Sequence, residues 1–150
     1  MEIVLYEPEI PPNTGNVARL CAAMGVRLNL VEPLGFSLED KYLKRAGLDY
    51  WQHVDVLVHP DWQALLSHAG ERRLVLSSAR QGESCGRFEF RADDLLVLGP
   101  ETRGLPRELF EAHSDHVRIP LRDGLRSLNM STAAGILLFE ALRISGELPE

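Results

Sequence analysis

Ile3-Val4-Leu5-Tyr6-Glu7-Pro8-Glu9-Ile10-Pro11-Pro12-Asn13-Thr14 is the stretch on which the reading of the fold turns. Four consecutive apolar or aromatic residues, cut off by prolines, suit a strand covered on both faces rather than one alternating between core and water. Asn13 or Thr14 can cap a following helix. Val17, Leu20, Cys21 and Met24 then fall at i, i+3, i+4 and i+7, and Gly25 stands where a helix stop is expected. Arg19, about 200° around that helix from Val17, faces away from the apolar stripe.

The same alternation continues along the chain. Strands are expected at Leu28–Val31, Val54–Val58, Leu74–Leu76, Leu95–Leu98 and Val117–Ile119. Helices are expected over Ser37–Ala46, over Asp61–His68 with Asp61 as its cap, from Pro106 to Phe110, and from about Ser127 to Ile144. The last is apolar on nearly every side, so it belongs in the core or against a partner chain. Strand–helix alternation implies an α/β domain with a mainly parallel sheet. Ligands of such sheets sit beyond the carboxyl ends of the strands, here Ser77-Ser78, Gly99-Pro100-Glu101 and Pro120-Leu121.

The 150 residues fit one domain, with 45% hydrophobic and 25% charged residues. No apolar run approaches the roughly 18 residues that cross a bilayer, and the N-terminus lacks the basic segment of a signal peptide, so a cytoplasmic location is expected. Cys21 and Cys85 form no disulfide framework; a buried Cys21 and a loop Cys85 are expected. A net charge of −6 gives no sign of a polyanion partner, which would need a local basic surface. The Gly-rich dinucleotide fingerprint, the P-loop and the nucleophile elbow are missing from the sequence. His113 and His116 stand without a third ligand nearby, so no metal is expected.

Three segments are unusual for plain core: Asn13-Thr14-Gly15-Asn16-Val17-Ala18-Arg19, Gly99-Pro100-Glu101-Thr102-Arg103-Gly104-Leu105, and Ile119-Pro120-Leu121 followed by Arg126-Ser127-Leu128-Asn129-Met130-Ser131. In this order they resemble the three motifs of the SPOUT methyltransferases, in the ribose-methylating branch. Tyr6 to Asn16 and Arg45-Ala46-Gly47-Leu48-Asp49-Tyr50-Trp51 extend the resemblance to nearly the whole chain; it is weakest from His59 to Ala92.

The resemblance implies a single SPOUT domain over residues 1–150, with helices on both sheet faces, a C-terminal trefoil knot and no separate RNA-binding domain. It implies S-adenosylmethionine as methyl donor, tRNA as substrate and a homodimer. Its closest group methylates the ribose 2′-hydroxyl of wobble nucleotide 34, cytidine or 5-carboxymethylaminomethyluridine, in leucine tRNAs. Alternatives are another tRNA or rRNA position, or a non-catalytic RNA-binding module of the same fold.

On this resemblance Arg19 is the catalytic candidate. A guanidinium is an awkward general base; held in place, it could grip the neighbouring phosphate and stabilise developing oxyanion charge. Asn13 supports the same site or simply caps its helix. Leu76, Ser77, Gly99, Glu101, Ile119, Leu121, Ser127, Leu128 and Asn129 are the candidate cofactor pocket. Leu76, Ile119 and Leu121 would wrap an adenine ring. Core packing is the plain alternative for these three, N-capping for Ser127 and Asn129, and loop ordering or a helix-dipole contact for Glu101. Lys41, Arg45, Arg103, Arg122 and Arg126 are candidate RNA contacts, against a solvated charged face.

Overall fold

The computed structural model describes residues 1–150, save the side chains of residues 47–49. Strands β1 (Glu2–Tyr6), β2 (Arg27–Val31), β3 (Val56–His59), β4 (Leu74–Ser77), β5 (Glu83–Ser84), β6 (Leu95–Leu98) and β7 (His116–Arg118) alternate with helices. These are α1 (Pro11–Met24), α2 (Lys41–Gly47), α3 (Trp62–Ala69), α4 (Arg107–Ala112) and α5 (Met130–Ser145), with a 3-10 helix at Leu48–Gln52. The strands make one sheet in the order β3-β2-β1-β6-β4-β7-β5, and every pairing is parallel.

Alternate residues along each strand feed two cores. Ile3, Leu5, Leu28, Leu30, Val75, Leu96 and Leu98 face α1 and α5. Val4, Val31, Leu74, Leu76, Leu95 and Val97 face α3 and α4. This two-sided burial is why β1 and β6 read as unbroken apolar runs. The chain runs outward from β1 to β2 and β3, then crosses to β4 and β5 in the other half before β6 fills the place between β1 and β4 and β7 that between β4 and β5. The switch in direction lies between β1 and β6, where open α/β sheets leave a crevice at the carboxyl ends.

Several boundaries differ from the expectations. Helix α1 starts two residues before Asn13, with Ile10 as its uncapped N-cap and prolines in the first turn, where no intrahelical N–H is required. The N–H groups of Asn13 and Thr14 go to the Ile10 carbonyl, so neither side chain caps the helix. Residues 37–40 form a turn, and the Asp40 carboxylate accepts from the backbone of Tyr42 and Leu43, which places the start of α2 at Lys41. Strand β3 is shifted to Val56–His59, and α4 begins after Pro106 and runs to Ala112. The sequence does not predict the two-residue β5, held to β7; Cys85 lies just beyond it in a turn, as expected, and is buried there. Burial raises the thiol of Cys85 and pushes that of Cys21 up to about 12. Helix α5 starts at Met130, not Ser127. Gly25 in the left-handed conformation and Asp61 accepting from Ala64 N end and begin their helices as expected.

Candidate active site

A cavity of about 680 Å³ opens at the carboxyl ends of β4, β6 and β7, bounded by the start of α1 and the start of α5. Its wall contains Asn13, Ser77, Gly99, Glu101, Ile119, Leu121, Ser127, Leu128 and Asn129. Nine of the residues singled out from the sequence, drawn from segments more than a hundred positions apart, therefore meet at one place.

The loop after β6 folds back on its own origin. A Cβ on Gly99 would stand 2.4 Å from the Leu105 nitrogen and 2.6 Å from the Gly104 carbonyl carbon, so only glycine permits this approach. Gly104 has φ +67°, the left-handed region, which makes the reversal possible. Two carboxylates then clamp this loop to the turn after β1. Glu101 accepts from the backbone N–H of Glu9 at 2.8 Å and of Ile10 at 3.3 Å. Glu9 in return accepts from the Thr102 backbone N–H at 3.0 Å and its hydroxyl at 2.7 Å. These bonds hold the Glu9 carboxyl below the usual range, with the backbone bond from Thr102 the largest cause. Arg103 reaches Glu7 at 2.8 Å, and Glu7 itself sits at φ +45° at the mouth of β1.

Asn129 closes the other side. Its Oδ1 accepts from the backbone of Ser131 and Thr132 and so caps α5, while its Nδ2 donates to Asn13 Oδ1 at 3.0 Å. One amide thus serves as helix cap and as bridge between the first and third segments. Asn13, only 6% exposed, gives its side chain to this bridge rather than to capping α1. Ser127 and Leu128 precede α5 in the wall of the cavity, so Ser127 is not the cap.

Leu76 does not line the cavity. Its side chain is fully buried in the core against α3 and α4, because strand alternation turns Leu76 to that face and offers Ser77 to the opening. Arg19 is exposed on α1 outside the cavity wall, its guanidinium carbon 5.0 Å from the centre of the Tyr50 ring. Arg103 and Arg126 lie in the wall. Arg122 is exposed on the adjoining loop, and Lys41 and Arg45 are exposed on α2, which packs on α1. Ser78, marked with Ser77 as a ligand position at its strand end, lines the cavity as expected, whereas the sequence assigns no site role to Arg80, which also lines it, nor to Glu9 and Thr102 in the clamp. Arg80 closely follows the strand end marked as a ligand position, which is the signal that could have found it. Among the described residues no group of three or more His, Cys, Asp or Glu is placed to hold a metal ion.

An opening of this size, with apolar Ile119, Leu121 and Leu128, tight backbone and a few polar groups, suits a medium-sized organic ligand with a flat apolar part. The model of the SpoU rRNA Methylase family matches residues 1–139. A tRNA (cytidine(34)-2'-O)-methyltransferase of Methylovorus glucosotrophus is 50% identical over 144 residues, covering 95% of this chain and 94% of that protein. A solved structure concerned with the 2-OH methylation of C/U34 on tRNA superposes with a TM-score of 0.92 at 46% identity, over 95% of this chain and 94% of that one. The fold also matches that of the SpoU methyltransferase AviRb from Streptomyces viridochromogenes, solved in complex with the cofactor AdoMet, with a TM-score of 0.86 at 23% identity, over 95% of this chain and 57% of that one. A family match over nearly the full length, joined to a pocket built from the three motif segments, places this chain among the enzymes of the SpoU methylase family.

Proposed function

We propose that this enzyme transfers a methyl group from S-adenosylmethionine to the ribose 2′-hydroxyl of wobble nucleotide 34, cytidine or 5-carboxymethylaminomethyluridine, in leucine tRNAs. The observation that carries the reading is the Asn129–Asn13 bridge at the wall of the Gly99 cavity, which joins segments 116 residues apart into one site. The names of the similar proteins supply the substrate and the position.

The residues present fit such a cofactor. The cavity volume falls in the range of roughly 300–1,000 Å³ usual for small-molecule sites. Ile119, Leu121 and Leu128 offer an apolar slot for the adenine, and the backbone at Ser77, Gly99 and Ser127 offers polar partners without bulk. Glu101 contributes by clamping the loop, since its oxygens are already taken by the backbone of Glu9 and Ile10. Leu76 contributes only through the strand that carries Ser77. When bound, S-adenosylmethionine supplies an electrophilic methyl group on a sulfonium centre.

The protein's own part is placement and charge. The 2′-hydroxyl is a weak nucleophile that loses its proton as the new bond forms. The Arg19 guanidinium grips the adjoining phosphate and stabilises the negative charge growing on the oxygen. Holding acceptor and donor in line removes most of the entropic cost of their encounter. Asn13 keeps the start of α1 in register with the third motif. Arg80, Arg103, Arg122 and Arg126, with Lys41 and Arg45 on α2, contact the tRNA backbone.

Arg19 lies outside the cavity wall of its own chain, and α5 exposes Phe139 at 52% and Ile136 at 38%. Both features favour a homodimer in which the α5 faces pair and Arg19 of one protomer serves the pocket of its partner. We hold residues 1–150 to act as one domain, with the C-terminal segment threaded as a trefoil knot, in the cytoplasm. No helix among the described residues is long and apolar enough to cross a membrane.

The deciding experiment is transfer of tritiated methyl to bulk tRNA that lacks wobble methylation, followed by nucleoside mapping. Label at the ribose of nucleotide 34 is expected. Label elsewhere would assign the enzyme to another position, and no label would leave an RNA-binding module. Arg19→Ala should abolish turnover while S-adenosylhomocysteine still binds. Phe139→Glu should shift the species in light scattering from dimer to monomer.

A further inference from the structure

The recorded partner of Arg19 among the described residues is a ring and not an acid, whereas Arg73, which also lies over a ring, that of Phe88, is ion-paired as well. Six arginines, Arg27, Arg72, Arg73, Arg103, Arg107 and Arg143, make ion pairs with carboxylates. Among the described residues Arg19 instead meets the face of the Tyr50 ring, 5.0 Å from its centre. The difference matters chemically. A carboxylate would neutralise the guanidinium and occupy its N–H groups. A ring face attracts the cation, restricts its rotamers and leaves all five N–H donors and the positive charge available.

The ring is itself well anchored. Tyr50 belongs to the 3-10 helix Leu48–Gln52, which packs along α1. Its neighbour Trp51 and nearby Val54 pack against the core beneath α1. The Tyr50 carbonyl accepts from the backbone N–H groups of His53 at 2.9 Å and Val54 at 3.1 Å, which fixes the turn. The phenol side chain is left against solvent, 36% exposed, with Arg19 over it.

We infer that Tyr50 is the positioning residue for Arg19: its ring face holds the guanidinium extended from α1 without using its N–H donors, ready for a ribose–phosphate acceptor. The inference rests on the reading of Arg19 as the acceptor-site group. The ring face is the working part, and the phenol hydroxyl is dispensable.

The test is steady-state kinetics on Tyr50→Phe, Tyr50→Leu and Tyr50→Gln, with Arg19→Ala as reference, alongside melting temperature and binding of S-adenosylhomocysteine. Tyr50→Phe should keep kcat within about threefold. Loss of the ring in Tyr50→Leu should lower kcat about tenfold or more, because loss of near-attack geometry is expensive. Its melting temperature and S-adenosylhomocysteine affinity should stay as in the parent, which a merely structural role would not allow. Tyr50→Gln serves the same purpose if the leucine variant does not fold. Parental turnover without the ring, beside an inactive Arg19→Ala, overturns the inference alone, as does a Tyr50→Phe variant as slow as Tyr50→Leu. Normal turnover of Arg19→Ala would remove the reading of Arg19 and this inference with it.

Discussion

Gly99→Ala is the smallest change that tests how the site is built. The added methyl would stand 2.4 Å from the Leu105 nitrogen and 2.6 Å from the Gly104 carbonyl carbon, both backbone atoms with no rotamer to relieve them. Ordinary contact begins near 3.4 Å, so the loop from Pro100 to Leu105 must retreat by about 1 Å. Three attachments resist that retreat: the Glu101 bonds to Glu9 and Ile10, the Glu9 bonds to Thr102, and the Leu105 side chain buried against α3 and α4. Overpacking of this kind costs about 1–3 kcal/mol. For a chain of this size that is a fall in melting temperature of roughly 2–12 °C.

The functional loss should exceed the loss of stability. The loop that moves is the wall of the cavity in which we propose the cofactor binds, and a displacement of about 1 Å in a site built on placement can cost on the order of a hundredfold in rate. Differential scanning fluorimetry would read the first effect, and calorimetric titration with S-adenosylhomocysteine the second. The expected result is a folded protein whose affinity falls at least about tenfold. A Gly99→Ala protein with parental melting temperature and affinity would refute the argument, since the close approach of Gly99 to Leu105 could not then be a constraint on the loop.

Asn129→Ala removes the α5 cap and the bridge to Asn13 together, and should destabilise by about 1–2 kcal/mol in urea unfolding. Asn129→Ser keeps a cap but is too short to bridge, so stability should recover while methyl transfer does not; recovery of both would dismiss the bridge. Glu101→Ala strips the acceptor from two backbone N–H groups and should cost about 2 kcal/mol together with cofactor affinity, whereas unchanged affinity would limit Glu101 to stability. Acid should weaken the fold through Glu2. Burial works against its charge, but hydrogen bonds from Arg72, His68 and Asn29 prevail and hold its carboxyl at about 2 against an ordinary 4.5. A folded-state pKa below the unfolded one means stability present above pH 4.5 and lost as pH falls toward 2, about 2 kcal/mol of it by pH 3. His59, lowered by burial and by His68, acts in the same direction below its ordinary 6.5. Denaturation midpoints against pH should therefore slope down on the acid side, and Glu2→Gln should flatten the part below pH 4.5; an unchanged slope would show that other groups carry it.

The parts of this fold legible in the sequence are those governed by local physics. Leu95–Leu98 and Ile3–Tyr6 are apolar on both faces because both faces are covered. Gly25 and Asp61 act within one turn of their helices. Motif resemblance then brought Gly99, Ser127 and Asn129 to one site although nothing in their spacing required it. What stayed hidden depends on contacts across the chain. The Glu9–Thr102 and Glu101–Glu9 bonds span more than ninety residues, so neither carboxylate announces a partner. Leu76 and Ser77 look equally placed for the cavity, and only the phase of strand alternation, fixed by pairing with β6 and β7, decides between them. Asn13 reads as a helix cap because capping is its commonest local use, yet α1 starts earlier on prolines and releases it for the bridge.

Long-range contacts also bear on how a chain of net charge −6 could present itself to the tRNA that we propose as its substrate. The cavity wall holds Arg80, Arg103 and Arg126 against a single carboxylate, Glu101. That carboxylate faces backbone N–H groups, and its neighbours Glu7 and Glu9 are engaged by Arg103 and Thr102. Glu2, in β1, and Asp94 are engaged elsewhere, by Arg72 and Arg73, where they serve the fold. Among the described residues Arg19 meets the Tyr50 ring. Net charge averages these populations together, whereas an approaching phosphate responds to the local field within about 10 Å, the range that salt leaves unscreened. Glu7, Glu9 and Glu101 near the site are engaged in shaping it, so less of their charge opposes the arginines that we propose meet the tRNA.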